Sequence, residues 1–420
     1  DYVAINDNLT AISPIRLLKP NFYCKGKEYS DSKKDVSGEI KNEIKELKKV
    51  NGKIIFTEEA TFSSSRIINT STDFYSPIQK KKISKIKTKT NFSLINKTID
   101  NFKKLKILVV GEAIIDQYIF CETLGKSGKE PMLVLRELKK EQYLGGVLSI
   151  ARNLYKLSNN IDLISVVGEK SEYLNDIKKG LSNKIKANFI RKKNSPTIVK
   201  KRFVDGINQT KVIGVYDIND EGLNREDEKK LYSLIEKNIK KYDLVIVSDY
   251  GHGFISKKTA RLLCRKSKFL SLNTQINASN IGYHTLRNYN NFNTLIINEK
   301  ELRYEMRDKR SKTESLMSHL ASEKKINNLI VTIGEKGSIL LNRSTSKYYY
   351  SEAYAEKIID KIGAGDTMLS VISPCIKSNL DFDVSLLVSS LAAAQSVESM
   401  GNKSSIDKIK ILKSLENILK

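Results

Sequence analysis

The sequence predicts an α/β fold: a three-layer domain on a mostly parallel sheet, with a small β lid and a partial α/β segment before it. Continuous β-branched runs are typical of strands buried on both faces, and they occur at 106–111, 162–168, 243–248 and 328–332. Helical patterns separate these runs, at 145–157, 226–241 and 312–321. Residues 197–215 alternate instead and turn at 206–208, which predicts a two-stranded antiparallel lid.

Composition sets the first functional limits. The 420 residues allow two or three domains, and 40% hydrophobic residues exclude a disordered or collagen-like chain. Lys and Arg number 73 against 48 Asp and Glu, which gives a net charge of +25. Such a charge suits nucleic acid or an anionic membrane. Because Lys is abundant along the whole chain, a general compositional bias towards Lys explains the positive charge better than nucleic-acid binding does. Anionic substrates would explain it equally well.

The cysteines and the apolar runs favour a cytoplasmic protein. Cys24, Cys121, Cys264 and Cys375 lie far apart and form no CxxC pair, so neither a zinc site nor a disulfide framework is indicated. No apolar run reaches the ~18 residues that a membrane helix needs. No signal segment opens the chain, so we expect no membrane partner.

Three regions follow one another along the chain. In residues 1–75, a strand at 21–24, a helix at 39–50 and a strand at 53–56 predict a short α/β block. Residues 76–105 are predicted to be a linker, because the stretch 76–106 holds ten Lys and one Asp, repels itself and should bury little. A nucleic-acid patch is the minority alternative there. Residues 106–420 form the main domain.

The motif at 360–367, Asp-Lys-Ile-Gly-Ala-Gly-Asp-Thr, stands before an apolar helix. Gly363, Ala364 and Gly365 let backbone N–H groups converge, and the helix start adds a positive dipole. That arrangement suits the charge of a phosphoryl group in transfer. Asp366 at the helix start is placed to accept a proton from an attacking hydroxyl. The alternative is an ordinary glycine turn with Asp as a helix cap.

This motif resembles the C-terminal signature of the ribokinase-like (PfkB) sugar kinases, Asp-Thr-x-Gly-Ala-Gly-Asp-[Ser/Thr], with Lys361 in place of Thr. The resemblance covers essentially all of 106–420. It implies an ATP-dependent phosphotransferase with an alcohol acceptor, in which Asp366 is the catalytic base. The amides of Gly363, Ala364 and Gly365 would form the anion hole, and Mg²⁺ would accompany ATP.

The same resemblance assigns a sugar site and a nucleotide site. Val109-Val110-Gly111-Glu112 followed by Asp116 matches the opening strand, whose Asp binds sugar hydroxyls, and Gly145 and Gly146 match the paired glycines. Ser149 stands where the family usually has a sugar-binding Asn. The residues implied on the nucleotide side are Asn273, Asn298, Glu301, Thr332, Gly334 and Gly337. Glu301 would act on Mg²⁺ directly or through water.

Within the family, the sequence resembles the heptose-7-phosphate kinases of bacterial surface-polysaccharide synthesis. The segment 111–118 looks like their opening motif, and 248–253, which contains Asp249, looks like their Ser-Asp-Tyr-x-Lys-Gly loop with His252 for Lys. This implies a phosphorylated heptose as acceptor, with ADP-heptose as the eventual product. Lys201 and Arg202 are candidates for a substrate phosphate or are ordinary solvated charges. Another sugar is the alternative acceptor, and a homodimer through the lid is expected.

The N-terminal block resembles the C-terminal half of a cytidylyltransferase-like nucleotidyltransferase. The matching segments are 18–21, 25–29, 38–39 and 63–68. Such a domain is joined to a heptose kinase in bifunctional ADP-heptose synthases, usually in the opposite order. The His-x-Gly-His signature is absent from this chain. We therefore expect no nucleotidyl transfer from the block as it stands. Either an upstream half of the domain is missing from this sequence, or the block is a structural remnant.

Overall fold

A computed structural model describes residues 6, 8, 10–26, 29, 39–57, 75–283 and 285–419. The helices are α1 (Ile12–Leu18), α2 (Ile40–Lys49), α3 (Pro77–Lys89), α4 (Phe92–Asn101), α5 (Val147–Tyr155), α6 (Leu174–Gly180), α7 (Arg225–Asn238), α8 (Lys257–Lys266), α9 (Glu299–Met306), α10 (Thr313–Glu323), α11 (Ala364–Lys377), α12 (Phe382–Val397) and α13 (Lys408–Leu419). The strands are β1 (Phe22–Gly26), β2 (Lys53–Thr57), β3 (Ile107–Gly111), β4 (Ala113–Lys126), β5 (Leu133–Gly146), β6 (Ile161–Gly168), β7 (Lys186–Lys192), β8 (Ile198–Asp205), β9 (Lys211–Asp217), β10 (Leu244–Asp249), β11 (Leu270–Thr274), β12 (Phe292–Asn298), β13 (Ile326–Thr332), β14 (Ser338–Asn342) and β15 (Lys347–Ser351).

The chain divides into two compact units, one of Asp1–Ile83 with Lys408–Lys420 and one of Ser84–Asp407. In the first unit β1 and β2 pair in parallel, and α2 between them buries Ile40 and Leu47. The predicted order of strand, helix and strand is therefore present. The segment 63–68, part of the nucleotidyltransferase resemblance, lies outside the described residues, so that resemblance stays a prediction.

The second unit is built on a nine-stranded sheet of order β15-β14-β13-β12-β11-β10-β3-β6-β7. All neighbours from β13 to β7 pair in parallel, whereas β14 and β15 are antiparallel. The four β-branched runs of the sequence are β3, β6, β10 and β13. Parallel strands need crossover connections, which place helices over both faces of the sheet.

Two hydrophobic layers enclose this sheet. Along β3, Leu108 and Val110 face one layer, in which they join α7, α8 and α10. Ile107 and Val109 face the other layer, in which they join α5 and α11. The alternation follows from the two-residue period of a strand. The predicted three-layer α/β fold is confirmed.

The lid is a second sheet of four strands in the order β5-β4-β8-β9. The sequence predicted β8 and β9 but not the two long strands β4 and β5, and it started a helix at Gly145 where β5 still continues. For β5 the physical reason is exposure. β5 is exposed or half-exposed up to Tyr143, so its Lys and Glu residues hide the alternation of a half-buried strand.

The lysine-rich segment differs from the expected linker. It forms α3 and α4, and the side chains of Ile86, Ile95, Ile99 and Phe102 are at most 2% exposed. Asn91 caps α4 by accepting a hydrogen bond from the Leu94 N–H at 3.0 Å. Lys89 lies 3.3 Å from the buried Asp383 carboxylate. Isoleucines at helical spacing create an apolar stripe, which the count of lysines did not reveal.

The described part of the chain contains no helix that is both long and apolar enough to cross a membrane.

Candidate active site

A cavity of about 740 Å³ opens at the carboxyl ends of the parallel strands in the second unit. Loops at this edge are where open α/β sheets bind ligands. The structure brings most of the predicted site residues to its wall: Asp116, Gly146, Arg202, Asn273, Asn298, Glu301, Thr332, Gly334, Gly337, Gly363, Ala364, Gly365 and Asp366. Gly145, Ser149 and Asp249 are not part of the wall.

The glycine motif forms the N-terminus of α11. Gly363 has φ 86°, a left-handed conformation that favours glycine, and helix α11 starts at Ala364. The first intrahelical hydrogen bond runs from the Thr367 N–H to the Gly363 carbonyl at 2.9 Å. The amides of Ala364, Gly365 and Asp366 have no earlier carbonyl in the helix to bond. They and the helix dipole are therefore free to stabilise an anion in the cavity.

Asp366 lies in the first turn of α11 and is partly exposed to the cavity. Its Oδ1 accepts a hydrogen bond from the Tyr250 hydroxyl at 2.8 Å. Burial, with the negative charge of Asp116, raises the pKa of Asp366 to about 7, against the opposing effects of the Tyr250 hydrogen bond and the Lys200 charge. A carboxylate with this pKa is matched to proton transfer at neutral pH.

Asp116 lines the cavity from β4. Its Oδ1 accepts a hydrogen bond from Arg202 Nη1 at 2.6 Å, and its Oδ2 accepts one from Asn402 Nδ2 at 3.0 Å. A Cβ at Gly145 would lie 2.1 Å from Asp116 Oδ2, so glycine is needed there. Ser149 donates to Asn402 Oδ1 at 3.1 Å. Gly145 and Ser149 thus support Asp116 from behind the wall.

Asp249 also lies behind the wall, contrary to the expected contact with substrate. Its carboxylate accepts hydrogen bonds from the Tyr289 hydroxyl at 2.8 Å and from the Gly251 N–H at 3.0 Å. Burial raises the pKa of Asp249. Glu112 beside it is fully buried, which raises its pKa too, and it accepts the Tyr250 N–H at 3.0 Å. These acids hold the loop that places the Tyr250 hydroxyl against the Asp366 carboxylate.

His252, which replaces the Lys of the resembling loop, is buried away from the cavity. Its Nδ1 lies 2.6 Å from Asp220 Oδ1. Burial and the charge of Lys200 lower the pKa of His252, against the effect of Asp220. This position therefore offers the cavity no cation of its own.

Asn298 and Glu301 form a reciprocal cap at the start of α9. The Glu301 N–H donates to Asn298 Oδ1 at 2.9 Å, and the Asn298 N–H donates to Glu301 Oε2 at 2.8 Å. Glu301 Oε1 accepts the Ile276 N–H at 3.2 Å. Burial raises the pKa of Glu301 to about 7. Both carboxylate oxygens already accept an N–H, so this geometry fits a cation held through water better than a direct ligand.

No group of three or more His, Cys, Asp or Glu able to hold a metal occurs among the residues that the structure describes. Mg²⁺ commonly keeps several waters and takes one or two carboxylates together with substrate phosphates. The oxygen donors of Asn298 and Glu301 therefore fit that ion. Asn273 at the same edge uses its Nδ2 to hold the Ile296 carbonyl at 2.8 Å.

The turn between β13 and β14 also lines the cavity. Thr332 ends β13, and Gly334 and Gly337 have φ 58° and 92°. A Cβ at Gly337 would lie 1.9 Å from the Ser351 carbonyl, whereas one at Gly334 would meet no described atom within 4 Å. Gly337 is thus required by packing, and Gly334 leaves open space in the wall, as a bound nucleotide would need.

Asn402 is the main site residue that the sequence did not reveal. Besides its bonds to Asp116 and Ser149, its Oδ1 lies so near Gly363 that a Cβ there would approach to 2.2 Å. One side chain therefore connects Asp116 to the glycine motif. It stands in an irregular segment after α12 with no local pattern, so only the tertiary structure identifies it.

Asp360, the first residue of the glycine motif, is a buried junction between the lid and the motif. It accepts hydrogen bonds from the Tyr118 hydroxyl at 2.9 Å and the Gly401 N–H at 3.1 Å, and it forms an ion pair with Lys211. Tyr118 lies on β4 and Lys211 on β9, both strands of the lid. Lys211 and the hydrogen bonds lower the pKa of Asp360, although burial opposes them.

Comparisons with known proteins agree with this geometry. The chain is 29% identical over 306 residues to the bifunctional protein HldE of Aliarcobacter butzleri, covering 71% of this chain and 62% of that protein. It is 26% identical over 317 residues to the bifunctional protein HldE of Campylobacter jejuni, covering 74% of this chain and 66% of that protein. The chain therefore spans only 62% to 66% of the length of these relatives.

Solved structures show the same fold. A ribokinase of Arabidopsis thaliana, complexed with ribose and ATP, aligns with a TM-score of 0.56 and 19% identity over 74% of this chain and 99% of that one. Phosphofructokinase-2 of Escherichia coli, in complex with substrates and products, aligns with a TM-score of 0.59 and 14% identity over the same shares. The profile of the pfkB family carbohydrate kinases matches residues 104–409. Because this match covers the sheet, the lid and the cavity together, the chain belongs to the pfkB family of carbohydrate kinases, phosphotransferases that act on an alcohol group.

Proposed function

We propose that this kinase transfers the γ-phosphoryl group of ATP to a hydroxyl of a phosphorylated heptose. The observation that carries the chemistry is the placement of Asp366, with its pKa near 7, at the N-terminus of α11 in the same cavity as Asp116. The segments 111–118 and 248–253, which resemble heptose-7-phosphate kinases, support heptose as the acceptor. The relatives named as bifunctional HldE proteins support it as well.

In the proposed reaction, Asp116 orients the sugar and Asp366 removes the proton of the attacking hydroxyl. The hydroxyl oxygen forms a bond to the γ-phosphorus, and the bond from that phosphorus to the β–γ bridging oxygen breaks, which releases ADP. The amides of Ala364, Gly365 and Asp366 stabilise the charge on the phosphoryl oxygens. Mg²⁺, which Asn298 and Glu301 would hold through water, neutralises phosphate charge when it is bound.

The test is ADP release from Mg·ATP with D-glycero-D-manno-heptose 7-phosphate, the free heptose, ribose and fructose 6-phosphate as acceptors. We expect turnover with the heptose phosphate that is lost in Asp366→Asn and kept in Asp100→Asn, an exposed carboxylate outside the cavity. Turnover with ribose alone would overturn the heptose assignment and keep the kinase. A wild-type rate in Asp366→Asn would overturn the mechanism.

The lid also supports the proposed homodimer. The outer strand β9 is exposed along its whole length, and it carries Val212, Ile213, Val215 and Tyr216 at 40% to 53% exposure. An exposed apolar edge strand is a template for pairing with another chain. We expect a dimer by light scattering that Ile213→Lys dissociates. A wild-type monomer would contradict the proposal.

Two further assignments belong to the same proposal. Use of ATP as donor supports a cytoplasmic reaction. In α3 and α4 the buried apolar side chains are isoleucines, while most of the lysines are exposed, so nucleic-acid binding stays the minority alternative for this segment.

A further inference from the structure

Lys200 is a buried cation in the cavity wall that the sequence analysis did not single out. It lies on β8 in register with Asp116 on β4, and its residue is 6% exposed. Across the described ranges, its Nζ has no hydrogen bond and no ion pair. Burial and the charge of Arg202 lower the pKa of Lys200, while the charges of Asp116, Glu112 and Asp366 oppose that shift.

The acids around Lys200 are already committed to other donors. Asp116 is bound by Arg202 and Asn402, and the Asp366 oxygen accepts the Tyr250 hydroxyl. Two aromatic rings also lie near Lys200: its Nζ lies 5.6 Å from the centre of the Tyr216 ring and 5.9 Å from that of Tyr250. A buried ammonium that makes no direct hydrogen bond or ion pair is costly. An anion that enters the cavity would therefore gain by contacting Nζ.

The two basic residues that the sequence offered for this role are less suitable. Arg202 is held by Asp116 at 2.6 Å, so its charge is already neutralised. Lys201 is in register with Gln117 and, since successive side chains of a strand point to opposite faces, lies on the other face of the lid. It does not line the cavity. Of these three neighbours on β8, only Lys200 is buried, lines the cavity and makes no side-chain hydrogen bond or ion pair with a described residue.

We propose that Lys200 binds a phosphate group at the acceptor end of the cavity, next to Asp116. Two phosphates share this chemistry: the one that the acceptor sugar already carries and the phosphoryl group in transfer. The first would make Lys200 a specificity residue for sugar phosphates, and the second would make it a catalytic residue for any acceptor. The inference rests on the proposed kinase reaction and deepens it.

The kinetic test compares Lys200→Met with Lys201→Met, the same change one residue along β8 on the other face. Both variants and the wild type are assayed with the heptose 7-phosphate and with the same heptose lacking phosphate. We expect Lys200→Met to lower kcat/KM for the phosphorylated acceptor by about 10- to 100-fold, as for a lost charge-assisted hydrogen bond. A loss confined to that acceptor assigns Lys200 to the acceptor phosphate, and an equal loss with both assigns it to the group in transfer.

A second readout is independent of turnover. Because burial disfavours the charge of Lys200 and its Nζ makes no hydrogen bond or ion pair with a described residue, Lys200→Met should unfold at the same or a higher temperature than the wild type. Inorganic pyrophosphate should stabilise it less than it stabilises Lys201→Met. Lys200→Gln, which keeps a polar end, serves as the second variant. A clear drop in unfolding temperature in both Lys200 variants would indicate a structural role and overturn the proposal.

Kinetic parameters and pyrophosphate stabilisation that match those of Lys201→Met would also overturn it. If the wild type turns over none of the sugars, the proposed function fails, whereas the pyrophosphate comparison still tests Lys200.

Discussion

Replacement of Asp366 by Asn should remove activity and make the protein more stable at pH 8. The change keeps the shape of the side chain, and the amide oxygen can still accept the Tyr250 hydroxyl that now bonds Oδ1 at 2.8 Å. What it removes is the negative charge, and with it the ability to take a proton. A general base contributes about 10²- to 10⁴-fold to a rate, so kcat should fall by at least that factor.

The effect on stability follows from the raised pKa. The ordinary value of 3.8 rises to about 7 in the folded protein, so folding favours the protonated form. The stability that this group contributes is therefore fully present below about pH 4 and is lost as the pH rises through 7. At about 1.4 kcal/mol for each pKa unit, the upper limit is about 4 kcal/mol at pH 8. Because Asp366 is partly exposed to cavity water, we expect roughly half of that.

The assay pairs ADP release with thermal unfolding at pH 8 and pH 5. Asp366→Asn should unfold a few degrees above the wild type at pH 8, and the difference should shrink at pH 5, where the folded wild-type carboxyl is already protonated. Asp100→Asn, at an exposed position of α4, should leave both kcat and unfolding unchanged. Near-normal kcat would refute the assignment of the base, and an unfolding temperature lowered at pH 8 would refute the reasoning on charge burial.

Three other results are expected from the same geometry. In the wild type, kcat/KM should fall about tenfold for each pH unit below about 7 as Asp366 takes up its proton, and a flat profile from pH 5 to 8 would contradict its pKa. Gly363→Ala should lower kcat strongly and cost about 1–2 kcal/mol of stability, because φ is 86° and the new Cβ would lie 2.2 Å from Asn402 Oδ1. Gly365→Ala is its matched control, since a Cβ there meets no described atom within 4 Å, and equal unfolding temperatures for the two would contradict this account. Asn402→Leu should raise the KM for the acceptor about tenfold and leave that for ATP unchanged, because it removes one of the two donors that hold Asp116; equal changes in both KM values would disprove it.

Sequence could predict the strands whose residues are continuously apolar, because such a run occurs where a strand is buried on both faces. The strands β3, β6, β10 and β13 are continuous apolar runs because both of their faces are covered. The long strand β5 escaped prediction because it is exposed or half-exposed up to Tyr143. No such exposure explains β4, whose first seven residues are buried. The helices α3 and α4 escaped because a few isoleucines, rather than the many lysines, decide their packing.

The site residues likewise fall into those that local sequence encodes and those that depend on tertiary contacts. Local geometry fixes the glycine motif, since Gly363 must adopt a left-handed conformation and Asp366 must stand in the first turn of α11, so both are visible in eight residues of sequence. Asp249 was misplaced because its segment fits a motif, yet its carboxylate binds Tyr289 rather than facing the cavity. Asn402 depends on contacts with residues far along the chain, and no local pattern encodes it.

Charged residues of the lid affect the pKa of Asp366. Lys200 and Arg202 reach the cavity from β8 of the lid, whereas Asp366 belongs to the α/β body. Lys200 lowers the pKa of Asp366, while burial and Asp116, the latter also a lid residue, raise it. The pKa of Asp366 is therefore set by its burial together with charges that come from the lid. A change in the lid that leaves α11 untouched should consequently shift the pH profile of the reaction, as the Lys200→Met variant should by weakening the one lid cation that favours the ionised carboxylate.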